Sequence, residues 1–232
     1  MPRPILPVPL LITRPLDDAE RLAEEVRGLV PGISVILAPV LEIRPLPFEP
    51  PSEPVDLVLI SSQHAITTAL SCENLPVVCV GAATARKAAA AGLTVQATYP
   101  TADDLVHGLT GRKGLRALHL HGRHTRGHVA ERLTLAGLET QERMVYDQIA
   151  RRWTADEQRR IFAEPQLVVP LYSPRSAQIL SENLVGYAGE LTLVAISEAC
   201  REAWSGPVPK TICVADHPDG ETMKRVIASK LS

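Results

Sequence analysis

The sequence predicts an α/β protein: parallel sheets packed against helices, in two similar halves. Three observations predict it. Short runs rich in Val, Leu and Ile, mostly without polar alternation, recur along the 232 residues, as strands covered on both faces require. Most of these runs are followed by a helical pattern, and strand–helix alternation implies parallel strands joined by crossovers. Hydrophobic residues make up 45% of the chain but aromatic residues only 3%, so the core must be aliphatic.

The elements follow in chain order. PLLITR (9–14) is an apolar strand ending at Arg14, and the helix at 17–29 opens with Asp17 and Asp18, which cap it. SVILAP (34–39) is the next strand, and APVLEIRPLP (38–47) is an extended segment broken by prolines. DLVLISS (56–62) leads into a helix at 63–70, and VVCVG (77–81) into an Ala-rich helix at 82–91. Asp103 and Asp104 cap a helix at 102–109 and do not form a catalytic pair. LRALHLHG (115–122) precedes a helix at 127–136, and ERMVYDQIA (142–150) is again extended. QLVVPLYS (166–173), LTLVAIS (191–197) and TICVAD (211–216) are strands followed by helices at 174–184, 198–204 and 219–229. Pro170 lacks an N–H, which predicts an edge strand or a bulge for the strand that holds it.

One pattern occurs twice. PLLITRPLDDAERLAEEVRGL matches LHLHGRHTRGHVAERLTLAGL: a strand, an arginine (Arg14 or Arg123), a loop and a helix containing AERL. DLVLISSQHA matches VVPLYSPRSA, which sets Ser62 opposite Ser173, and VVCVGAATA matches LTLVAISEA. A two-domain, pseudo-twofold protein follows, with a cleft expected between its halves. The stretch HLHGRHTRGH, which holds four of the seven histidines, occupies the place of ITRPLDDAE in the first copy. It therefore reads as a strand end, a basic loop (His121, Arg123, Arg126) and a helix start, and not as a metal site.

The net charge of −2 provides no field for nucleic acid. The four cysteines show no paired spacing and read as reduced thiols of a cytoplasmic protein. No apolar run approaches the ~20 residues of a membrane span. No G-x-G-x-x-G, Walker A or G-x-S-x-G motif is present, which removes the dinucleotide, P-loop and nucleophile-elbow classes.

In order along the chain, LLITRP, APVLEIRPL, DLVLISSQHA, VVCVGAATA, LHLHGRHTRG, ERMVYDQ, LVVPLYSPRSA and LTLVAISEACREA resemble the motif series of the uroporphyrinogen-III synthase family. The resemblance implies two similar three-layer αβα domains with parallel, flavodoxin-like sheets. A two-stranded linker joins them, and the chain leaves the first domain and returns to it. Domain one would combine 1–38 and 151–232, domain two would span 48–143, and 39–47 and 144–150 would be the linker. The implied reaction closes the linear tetrapyrrole hydroxymethylbilane into uroporphyrinogen III, with loss of water, inversion of ring D and no cofactor. A monomer is implied, with the preceding enzyme of the pathway as a candidate partner. The chain departs from the family where Gly-Pro-Thr-Thr-Ala is usual and Ser197-Glu198-Ala199-Cys200-Arg201 stands instead.

The resemblance makes Tyr146 the candidate catalytic group, a phenol that stays protonated at neutral pH and can donate to a departing hydroxyl; the alternative is a tyrosine that only packs. Ser61, Ser62, Thr84, Ser173 and Ser197 stand at strand-to-helix turns. Their hydroxyls and the neighbouring amides suit carboxylates, or serve as ordinary helix caps. Arg14, Arg123 and Arg175 suit charge-assisted carboxylate contacts, or pair with nearby Asp17, Asp18 or Glu131. A rival reading is a two-domain protein that binds a polyanion without chemistry.

Overall fold

The computed structural model describes residues 8–72, 74–125 and 127–231. The chain forms two compact units, one taking it up to Glu42 and again from Ile149, the other comprising Ile43–Gln148.

The first unit is a five-stranded parallel sheet: β1 (Leu10–Ile12), β2 (Val35–Leu37), β9 (Gln166–Leu171), β10 (Glu190–Ala195) and β11 (Thr211–Val214), in the order β11-β10-β9-β1-β2. Strand side chains alternate between faces, and the two faces have separate cores. Leu11, Val169 and Leu193 pack against Ala177 and Leu180 of α7 (Pro174–Asn183) and Cys200 of α8 (Glu198–Glu202). Leu10, Ile12, Val168 and Val194 pack against Leu22 and Val26 of α1 (Leu16–Leu29) and Met223 and Ile227 of α9 (Gly220–Leu231). Helices thus cover both faces.

The second unit holds β4 (Leu57–Ile60), β5 (Val77–Val80), β6 (Val95–Tyr99), β7 (Arg116–Gly122) and β8 (Glu139–Ala150), with β3 (Leu41–Pro45) outermost, in the order β3-β8-β7-β4-β5-β6. Every pairing from β8 to β6 is parallel. Val58, Ile60, Leu118 and Leu120 face Ile66 and Ala69 of α2 (Ile66–Ala69) and Ala88 of α3 (Ala82–Ala90). Leu57, Leu59 and Ala117 face Leu105 and Leu109 of α4 (Ala102–Leu109) and Val129 and Leu133 of α5 (Val129–Leu135). The architecture expected from the sequence, two αβα sandwiches with parallel sheets, is the one observed.

The repeat and the fold partition the chain differently. By the sequence match, β1 corresponds to β7, β9 to β4, β10 to β5 and β11 to β6. The orders β11-β10-β9-β1-β2 and β6-β5-β4-β7-β8 are then the same order. Each sheet therefore takes its Arg-ended strand from one copy of the repeat and its Ser-ended strands from the other.

Where the chain crosses between units, β3 neighbours β8. Within the first unit, Arg151 N–H donates to Val40 O at 2.8 Å and Trp153 Nε1 to Ala38 O at 3.0 Å. The Arg151 guanidinium bonds both Glu157 oxygens, at 2.8 and 2.9 Å.

Two expectations fail. Pro170 lies in β9, the middle strand, opposite Val194 of β10. Val168 N–H donates to Pro9 O, so the missing donor two residues on falls on the β1 side. There the ladder is reduced to the single pair Leu10↔Val168, and the β10 side runs unbroken through six pairs. His121 is not part of the basic loop: it lies in β7 and is 8% exposed, as His119 is 2% exposed. Arg126 lies outside the described residues. The sequence reading also passed over β6 and α6 (Ala155–Phe162).

Candidate active site

Except for Tyr146, the site residues proposed from the sequence stand at or just past the C-terminal ends of strands, where parallel sheets direct their loops to one edge. They form two groups, one on each sheet. In the first unit Arg14, Ser173, Arg175 and Ser197 follow the adjacent strands β1, β9 and β10. In the second, Ser61, Ser62, Thr84 and Arg123 follow β4, β5 and β7, and Tyr146 lies within β8 beside them.

Tyr146 is the best-defended polar group of the second unit's edge. β8 runs parallel to β7 with a shift in register at His121/Gly122, which sets Gly122 opposite Tyr146. The ring lies across Gly122: a Cβ there would come within 2.4 Å of it. His64 packs edge-on at 5.5 Å between ring centroids. Tyr146 is 7% exposed. Burial pushes its phenol above the ordinary range, although hydrogen bonds from the Ser62 side chain and the Gly122 backbone favour the phenolate. The net effect keeps the proton on the oxygen at neutral pH. Ser62 itself caps the turn at Gln63–Ala65, accepting from His64 N–H at 3.4 Å.

Next to it, Asp147 gathers the basic loop. Arg123 Nε donates to its carboxylate at 2.7 Å, and His124 Nε2 lies 3.6 Å away. The Arg123 bond is the main reason that this carboxyl is held below its usual range. Half of the Arg123 side chain stays exposed. Its pairing partner is therefore Asp147, not Glu131; Glu131 lies 3.6 Å from His128 instead. Thr84 sits in the first turn of α3, whose cap position, Gly81, has φ of 83° and no side chain to satisfy the first amides.

In the first unit the Arg14 guanidinium lies 4.3 Å from the centre of the Tyr172 ring. It also pairs with Asp18 at 3.3 Å, and Asp18 is bound by Arg21 at 2.6 Å. Burial pushes the Tyr172 phenol up to about 12 despite Arg14. Ser173 caps α7 through Ser176 N–H at 3.1 Å. Among the described residues, Arg175 Nη1 is buried without a protein partner. Ser197 stands at the cap of α8 without capping it, its hydroxyl turned to Cys200 Sγ at 3.5 Å.

The histidine-rich stretch spreads out. The His119 and His121 rings stack at 5.1 Å against the α4–α5 face, and His124 and His128 are exposed. Among the described residues no three His, Cys, Asp or Glu side chains converge where a metal ion could be held, and no helix is long and apolar enough to cross a membrane. Sequence reasoning missed Gly122, His64 and Asp147. Their signal was faint: a glycine closing an otherwise bulky strand, and an acidic residue directly after the candidate tyrosine.

No curated protein matches the chain by sequence. Among solved structures it is similar to uroporphyrinogen-III synthetase from Helicobacter pylori, at 14% identity and a TM-score of 0.67, covering 96% of this chain and 99% of that one. A wild-type uroporphyrinogen III synthase from Thermus thermophilus matches at 17% identity and a TM-score of 0.42, with 96% of each chain covered. The fold likeness rests on the first. The model of the family described as uroporphyrinogen-III synthase HemD matches residues 20–224, a span containing Tyr146, Arg123 and every serine and threonine of the two strand-end groups. The chain therefore belongs to the uroporphyrinogen-III synthase family of cyclising lyases.

Proposed function

We propose that this protein converts hydroxymethylbilane to uroporphyrinogen III, with Tyr146 as the donor that assists departure of the ring A hydroxyl. The observation that carries the reading is a buried phenol, kept protonated, at the edge where Ser61, Thr84 and Arg123 also stand. The departing hydroxide takes the phenol proton and leaves as water. The substituted α-carbon of ring D attacks the resulting carbocation to give a spiro intermediate. The bond from that carbon to its original bridging methylene breaks, and the methylene rejoins ring D at its other α-carbon, so that the ring is inverted. The proton lost from that second carbon returns to the Tyr146 phenolate.

Uncatalysed closure gives the isomer without inversion, so the protein's main task is geometric. A hundredfold preference for the inverted product needs about 2.7 kcal/mol, well within what positioning supplies. Arg123, Arg14 and Arg175 would hold substrate carboxylates by charge-assisted bonds. Ser61, Thr84, Ser173 and Ser197, with the amides of the helix starts at which they stand, would hold others. The chain's net charge of −2 requires such local binding. No step calls for a metal or an organic cofactor, and the reaction suits a cytoplasmic monomer.

The test is direct. With hydroxymethylbilane generated in situ by the preceding enzyme, the wild-type protein should yield mostly the type III isomer. Tyr146→Phe should slow type III formation by ~100-fold, the scale of a lost general acid, and leave the melting temperature within a few degrees. Type I product alone from the wild-type protein would point to a binding protein without this chemistry.

A further inference from the structure

We infer that Ser62 is a positioning residue for Tyr146: its hydroxyl donates to the phenol oxygen and so turns the phenol's own proton outward, toward an acceptor beyond the protein. The inference rests on the reading of Tyr146 as the proton donor and gives Ser62 a task other than carboxylate binding.

The geometry comes from the order β8-β7-β4. Arg123 N–H donates to Tyr146 O, on the β8 side of β7. Successive N–H groups of an extended strand point to opposite edges, so Gly122 N–H points to the β4 side. The Tyr146 ring crosses β7 in the space left by the missing Gly122 Cβ, which would lie 2.9 Å from the phenol oxygen. The phenol thereby arrives beside the residues that follow β4. Ser62 Oγ already accepts from His64 N–H at 3.4 Å, so one lone pair is committed and its O–H is free to donate. Ile60 pairs with Leu120, so Ser62 follows β4 at the level of Gly122, and the phenol oxygen lies within reach of the Ser62 hydroxyl and the Gly122 amide, both of which favour its phenolate. A hydroxyl oxygen that accepts two bonds has only its own proton left to give. His64, edge-on to the ring, limits its rotation.

This arrangement has a spectroscopic signature distinct from a packing role. A donor to the phenol oxygen stabilises the phenolate, so Ser62→Ala should titrate Tyr146 at higher pH than in the wild-type protein. The measurement is the ultraviolet difference titration of the full chain against its Tyr146→Phe counterpart, which isolates this tyrosine from the other three. In the hydroxymethylbilane assay Ser62→Ala should lower kcat about tenfold, a fraction of a general acid's whole contribution, with KM within about twofold. Ser62→Thr, which restores a hydroxyl, should recover both readouts. Ser62→Cys, a weak donor of similar size, should fall between and guards against loss of the turn in the alanine variant. An unmoved titration in both Ser62→Ala and Ser62→Cys overturns the inference. So does a raised KM at unchanged kcat, which would assign Ser62 to substrate binding. A shifted titration alongside full activity of Tyr146→Phe would retain the contact but remove its catalytic purpose, and would count against the proposed function instead.

Discussion

At the scale of single residues, the most exacting position outside the candidate site is His119. It is buried in β7 with neither ring nitrogen bonded among the described residues. Burial, with a smaller contribution from His121, lowers its pKa from 6.5 to about 4. The unfolded chain therefore binds a proton at this residue below pH 6.5, and the folded chain does so only near pH 4. Stability is complete above 6.5 and is lost as pH falls through that window. By linkage, about 2 kcal/mol should disappear between pH 8 and pH 5 on account of this residue. His119→Leu should flatten that part of the profile in denaturant titrations at the two pH values. An identical slope in the variant would show that other groups govern it. Gly122 is demanding in the opposite sense, because any side chain there meets the Tyr146 ring. Gly122→Ala should cost about 1–3 kcal/mol through overpacking and lower type III formation, both measurable on one preparation.

Individual elements show what could be read from sequence and what could not. The apolar strands were legible because a parallel strand covered on both faces is a continuous hydrophobic run. The polar ends of those runs, Arg14, Ser62, Ser173 and Ser197, were legible because the chain must turn there into a helix. β6 was missed because its pattern, Val95-Gln96-Ala97-Thr98-Tyr99, half-buried and exposed by turns, is that of an edge strand. α6 was missed because it is mostly polar, with its apolar residues at its two ends, and buries only Ile161. Its signal was the capping box, Thr154 with Glu157, a local hydrogen-bond pattern with no hydrophobic signature. Pro170 misled because a missing donor matters only on the side it faces. The contact of Tyr146 with Ser62 and Gly122 was unreadable for another reason: it depends on which strands are neighbours, and residues 62, 122 and 146 are brought together only by the sheet order. Thr154→Ala should destabilise the protein by about 1 kcal/mol, visible as a shift in the denaturant midpoint without a change in slope. No shift would mean that Arg151, which also binds Glu157, suffices to anchor the helix.

For the molecule as a whole, the second unit is one continuous stretch of chain with a core on each face of its sheet, and the first is interrupted. Ile43–Gln148 should therefore fold when expressed alone, giving a cooperative thermal transition by circular dichroism; a non-cooperative melt would show that it leans on the rest of the chain. The mismatch between the sequence repeat and the two sheets means that each sheet is assembled from strands of both copies, β1 and β2 of the first beside β9 to β11 of the second, and β7 and β8 of the second beside β4 to β6 of the first. The interrupted unit also has a consequence for synthesis. β9, the middle strand of its sheet, lies on the far side of the insertion from β1 and β2. At the usual ~5–20 residues per second, a nascent chain would wait roughly seven to thirty seconds between emergence of β2 and arrival of β9. For that interval the apolar β1–β2 pair leaves the ribosome with an unmated edge, which makes it the segment of this protein most in need of a chaperone.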